Sequence, residues 1–173
     1  EFQENVRIAA EMGNTDFDTE VAKGILEYME DNGEVNAPEI CTFQKTRTRI
    51  TAYDYNDEAE SLDLFYLIKS DTVLGKVNNN KVQQGFNYLM SFYREAMNGT
   101  LLRTVNIENT DEIAEVAKLV QSTKGSISQL RIYVITNGLT APACVPSAVG
   151  SSDDDFIIEY NVWDMKRVYQ QHN

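Results

Sequence analysis

Histidine is almost missing from this chain. Its one imidazole, His172, stands one residue from the end, where a helix terminus is expected to fray. That scarcity excludes Ser-His-Asp and Cys-His catalysis, histidine-rich zinc sites and histidine acid/base chemistry. Cysteine is nearly as sparse. Cys41 and Cys144 lie far apart in sequence and cannot build a structural zinc site. With no signal-peptide pattern beside them, they read as free, buried thiols of a cytoplasmic protein. No glycine-rich segment has the Walker or dinucleotide spacing, so a nucleotide cofactor has no cradle. No apolar run has the length of a membrane span. Positive charge is also short: 15 Lys and Arg stand against 27 Asp and Glu, a formal charge of −12, which argues against a general affinity for nucleic acid or anionic membrane. Lys45, Arg47 and Arg49 form a local exception, read as the charged edge of a strand.

What is present reads as one globular domain over residues 1–173, since 42% hydrophobic and 24% charged residues are ordinary for a packed protein of this length. The chain begins at Glu1 rather than Met and ends after a helical pattern, so it is expected to be the N-terminal portion of something longer. Its organising stretch is Arg49 to Ser70. Two runs rich in Ile, Tyr, Leu and Phe flank the polar knot Asn56-Asp-Glu-Ala-Glu-Ser61, the pattern of a hairpin with an acidic turn. The second run, Leu62 to Ile68, is apolar on both parities at Leu64-Phe-Tyr-Leu-Ile68 and is therefore expected to be a central strand.

Around the hairpin the periodicity predicts helices over 1–12 and from Asp16 to Met29, with a short strand at Ile40 to Phe43 after Pro38. Asn78-Asn-Asn80 marks a loop. Phe86, Leu89, Met90, Tyr93 and Met97 repeat at helical spacing up to Asn98-Gly99. Asn109 with Glu112 forms a capping box for a helix carrying Ile113, Val116, Ala117 and Val120. Leu130 to Ile135 is a buried strand and Phe156 to Tyr160 the last one, after which Asn161 is expected to cap a helix with Val162, Trp163, Met165, Val168 and Tyr169. This order predicts an α/β domain with a mixed central sheet of about four to five strands flanked by helices on both faces.

The remaining chemistry is that of carboxylates. Candidates are Asp16, Asp18 and Glu20 at a helix start, Asp54, Asp57, Glu58 and Glu60 around the hairpin, Asp63 in the central strand, and Asp153-Asp-Asp155. Such oxygen ligands suit magnesium, although helix-start and turn carboxylates are commonly just solvated. Asp63 differs, because a charge inside an apolar strand is costly unless it has a partner or lies where water reaches.

Glu20 to Asn36, the hairpin with Ile50-Thr-Ala-Tyr-Asp-Tyr and Leu62-Asp-Leu-Phe, Val134-Ile-Thr-Asn137 and Tyr160-Asn-Val-Trp-Asp-Met-Lys-Arg167 together resemble the N-terminal domain of abortive infection phage resistance (AIPR) proteins, from Thr19 to Tyr169. The resemblance implies bacterial antiphage defence, a C-terminal region beyond this chain and a restriction-endonuclease-like core. Active nucleases of that kind take one acid from the first helix, one from a strand start and an acid-x-lysine pair from the next strand. Glu20 matches the helix acid. The strand acid near Ala52 finds Thr51, with Asp54 beyond it, and the acid-x-lysine position holds Tyr66-Leu-Ile68. Asp63 and Lys69 share strand parity but stand about 20 Å apart at roughly 3.3 Å per residue. Asp164-Met165-Lys166 falls on a helix, where residues two apart diverge.

The resulting expectation is a nuclease-like scaffold without catalysis or cofactor, acting in sensing or assembly. Its expected partner is its own C-terminal region or another protein, with homo-oligomerisation through the final helix or the loop over 141–155 as a further reading. The alternative is an active magnesium-dependent nuclease using Glu20, Asp54 and Asp63, with Lys69 or Arg49 as the cation.

Overall fold

The computed structural model describes residues 2–13, 16–72, 74–104, 111–141, 149–150 and 156–172. Two helices open the chain, α1 (Phe2–Gly13) and α2 (Phe17–Asp31). Asp16 caps α2 by accepting from the Thr19 N–H at 2.7 Å, and Gly33, at φ 76°, turns the chain out of it, as left-handed residues commonly do after a helix. Three strands follow: β1 (Glu39–Gln44), β2 (Arg49–Asn56) and β3 (Ser61–Ile68). Next come α3 (Asn79–Met97), α4 (Thr100–Thr104) and α5 (Asp111–Ser122), then β4 (Gln129–Thr136), the two-residue β5 (Val149–Gly150), β6 (Ile157–Trp163) and α6 (Met165–His172).

The sheet order is β1-β2-β3-β4-β6-β5. The β1-β2-β3 meander is antiparallel, β3-β4-β6 is parallel and β5 pairs antiparallel with β6, so the sheet is mixed, with five full strands and one short edge. β3 and β4 are interior and are covered on both faces. Leu62, Leu64, Ile132 and Val134 pack toward α3 and α5 with Phe86, Leu89 and Val116. Ala52, Phe65, Tyr133 and Trp163 pack toward α1, α2 and α6 with Val21, Ile25 and Val168. The alternation follows from the two-residue period of a strand. Gly85 brings α3 close to the sheet: a Cβ there would stand 2.9 Å from Val134 Cγ2 and 3.1 Å from Tyr66 Cδ2.

Three expectations change. The last strand does not stop at Tyr160, and Asn161 does not cap a helix. β6 runs on through Trp163 because Asn161 and Trp163 fill the α2 face while Val162 fills the other, and Asp164 caps α6 by accepting from the Arg167 N–H at 3.0 Å. Asn79 and Asn80 belong to α3 rather than to a loop, since Asn78 caps it by accepting from the Lys81 N–H at 2.9 Å. The helix α4 and the strand β5 were not anticipated. The Asn109 capping box, Cys144 and Asp153 to Asp155 lie outside the described residues, whereas Cys41 is buried and free. Among the described residues no helix is long and apolar enough to cross a membrane.

Candidate functional site: a row of charge across the sheet

Four strands contribute one charged side chain each to a single row. Asp54 on β2 lies opposite Asp63 on β3, Asp63 is in register with Arg131 on β4, and Arg131 with Glu159 on β6. The row shares the parity of Ala52, Phe65, Tyr133 and Trp163, so it faces α2 and borders the apolar layer there. The turn after α2 carries Glu34 over it. Arg131 Nη2 donates to the Glu34 carbonyl at 3.0 Å, and the Tyr133 hydroxyl donates to Glu34 Oε1 at 2.7 Å.

Asp63 is 1% exposed. Arg131 holds it in a fork, Nε to Oδ1 at 2.7 Å and Nη2 to Oδ2 at 2.6 Å, the bidentate geometry that makes Arg–carboxylate pairs strong. Asp54 is also buried, and its Oδ2 accepts from the backbone N–H groups of Asn36 at 2.8 Å and Ala37 at 3.2 Å. At the far end Glu159 accepts from the Gln129 amide and, at 3.4 Å, from Asn161. A cleft of about 460 Å³ opens over this end of the sheet, with Glu34, Asn36, Asp54, Ser61, Gln129 and Arg131 on its walls.

Burial raises Asp63 to about 6. The Arg131 hydrogen bonds and charge oppose that rise, while Asp54 and Glu34 add to it. For Arg131 burial works against the charge, but the hydrogen bonds and charge of Asp63 outweigh it and hold the guanidinium above its ordinary value. At neutral pH the pair is therefore a matched ion pair. Burial chiefly raises the Tyr133 phenol, which stays protonated and donates to Glu34.

The four sequence candidates do not converge. Asp54 and Asp63 meet in the row. Glu20, in the first turn of α2, lines the cleft between α1 and α2 and pairs with Lys23 at 3.6 Å, roughly 17 Å along the helix from the end that faces the row, at ~1.5 Å per residue. Lys69 follows the opposite end of β3, where it pairs with Asp18 at 3.3 Å and stands over the Phe17 ring. Asp16 is a helix cap, and Asp57, Glu58 and Glu60 are exposed in the turn.

The donor set in the row does not fit magnesium as arranged. That ion takes one or two free carboxylates and several waters, whereas Asp63 already faces a guanidinium and Asp54 faces two amides. Among the described residues no group of three or more His, Cys, Asp or Glu is placed to hold a metal ion.

Arg131, Glu34 and Glu159 were not singled out in the sequence. One signal for Arg131 existed: it and Asp63 are the only charges in β4 and β3, are opposite in sign and each stands third in its strand.

No curated protein and no solved structure matches the chain. The family described as abortive infection phage resistance protein N-terminal domain matches residues 22–170, a span that takes in every strand of the sheet and all four members of the row. The chain belongs to that family.

Proposed function

We propose that this domain serves antiphage abortive infection as a nuclease-like scaffold without catalysis, acting in sensing or assembly, with its own C-terminal region or another protein as partner. The observation that carries this reading is the fork of Arg131 on Asp63. The acid nearest the centre of the sheet is neutralised by a side chain of its own domain, and its neighbour Asp54 holds the connection from α2 to β1 in place. Both acids thus have structural duties: both oxygens of Asp63 face the guanidinium, and one oxygen of Asp54 takes two backbone amides. The mixed sheet covered by helices is compatible with a restriction-endonuclease-like core, and the charge of −12 disfavours broad contact with nucleic acid.

A magnesium-dependent nuclease is the competing reading, favoured by one observation: Asp54 and Asp63 face each other beside an open cleft. The test is cleavage of DNA and RNA by the full-length protein in magnesium and manganese, with Asp54→Asn and Asp63→Asn alongside. The scaffold reading expects no cleavage that depends on either acid. Metal-dependent cleavage lost in a folded Asp54→Asn protein would overturn it.

A further inference from the structure

At the end of β3 remote from the acid row, cations gather. Arg49 opens β2, Lys69 follows β3 and Lys81 lies in the first turns of α3, and the three line one cleft of about 310 Å³ together with Asp18, Tyr66 and Tyr88. Three positive charges face one negative charge there, a local +2 in a chain of formal charge −12.

Two of these cations sit where elementary rules disfavour them. Lys81 stands near the positive end of a 19-residue helix whose first turn holds no acid, a placement the helix dipole disfavours. Arg49 is half-buried, stacked with its guanidinium carbon 4.4 Å from the Tyr88 ring centre, and donates to the Tyr66 hydroxyl at 3.3 Å and the Lys45 carbonyl at 3.0 Å. Among the described residues neither Arg49 nor Lys81 has a carboxylate within ion-pair distance, although the chain has 27 acids. Only Lys69 is paired, with the exposed Asp18. A half-buried Arg49 stacked on Tyr88 without a carboxylate partner among the described residues, beside two lysines, is a local conflict of the kind that marks binding sites.

We propose that this cleft binds a phosphate monoester of mononucleotide size. The dianion matches the local +2. Arg49, fixed by Tyr66 and Tyr88, presents the planar fork that suits phosphate oxygens, and Lys69 and Lys81 supply point charges. The volume lies at the small end of the ~300–1,000 Å³ typical of ligand pockets, enough for one nucleotide and too small for a duplex. The site stands apart from the acid row and holds whether or not that row has any catalytic part.

The test is an NMR titration of the full chain with inorganic phosphate, adenosine 5′-monophosphate and adenosine, and with a short single strand bearing either a 5′-phosphate or a 5′-hydroxyl. Phosphate and the monophosphate are expected to give saturable shifts at the amides of Tyr66, Lys69, Lys81 and Tyr88, and adenosine none. Lys81→Gln and Arg49→Gln should each weaken monophosphate binding about tenfold, the loss of one charge-assisted hydrogen bond, while Lys166→Gln, exposed on α6, leaves it unchanged. Tighter binding of the 5′-phosphorylated strand than of the free monophosphate identifies a chain end as the source, and the reverse order identifies a free nucleotide. Adenosine binding as well as its monophosphate, absence of a saturable shift, or indifference to Lys81→Gln overturns the proposal.

Discussion

Asp54 and Asp63 are directly opposed in the antiparallel ladder of β2 and β3, a pairing that places like charges where cross-strand neighbours normally attract. The strands tolerate it because the two carboxylates turn to different partners. Asp63 faces the next strand and Arg131, and Asp54 faces the backbone of Asn36 and Ala37. Within the row Asp63 and Arg131 neutralise each other, and Asp54 and Arg131 both hold the connection from α2 to β1.

Arg131→Met strands a buried carboxylate and should destabilise the domain by about 3–5 kcal/mol. Adding Asp63→Leu should recover most of that loss, since an apolar pair of similar volume replaces an ion pair at little cost. Urea denaturation of the two variants and the parent measures both effects. Equal stability of the single and double variants would show that the pair is not coupled.

Asp63 gives the fold a titration near pH 6. Its folded value lies above the unfolded value of ~3.9, so its contribution is fully present below pH ~4 and is lost as pH rises through 6. Relative to Asp63→Asn, the parent should therefore lose on the order of 2 kcal/mol between pH 4 and pH 7. Denaturation at both pH values tests this, and carbon-detected titration of the carboxyl group reads the midpoint directly.

Asp54→Ala removes the acceptor for two backbone donors at once. The expected cost is about 1–3 kcal/mol, and it should be local. Hydrogen exchange at the amides of Asn36 and Ala37 should accelerate more than exchange in β4.

Gly85→Ala tests the close approach of α3 to the sheet. Alanine favours a helix by ~1 kcal/mol over glycine, but here its methyl would meet Val134 and Tyr66 inside normal contact distance. Overpacking costs ~1–3 kcal/mol, so the net change should be destabilising. A raised melting temperature would contradict the packing described.

The hairpin, its central position and the helices on both faces were legible because their periodicities are local. Asp63 was legible as a charge that needs a partner, but the partner was not. Arg131 lies beyond three intervening helices, and the parallel register of β3 with β4 is fixed by packing that no short stretch of sequence states. Tyr160 to Tyr169 misled for a different reason. Val162, Met165, Val168 and Tyr169 recur at helical spacing, and Asn161 is a residue type that commonly caps, yet Asn161 and Trp163 alternate with Val162 across the two faces of the sheet. Where both periods fit, the one that buries tryptophan prevailed. Glu20 was proposed from the family pattern and Lys69 as a cation of the nuclease alternative, and the structure pairs them with Lys23 and Asp18, away from the acids of the row.

Trp163 is the single tryptophan of the chain, 1% exposed at the end of β6, with the Arg167 guanidinium carbon 4.3 Å from its ring centre. Its indole N–H has no acceptor among the described residues. The emission of such an indole is blue in the native protein and shifts red once solvent reaches it, so the domain carries its own optical gauge. Each denaturation experiment above can be read from that intrinsic signal, without a dye or an added label.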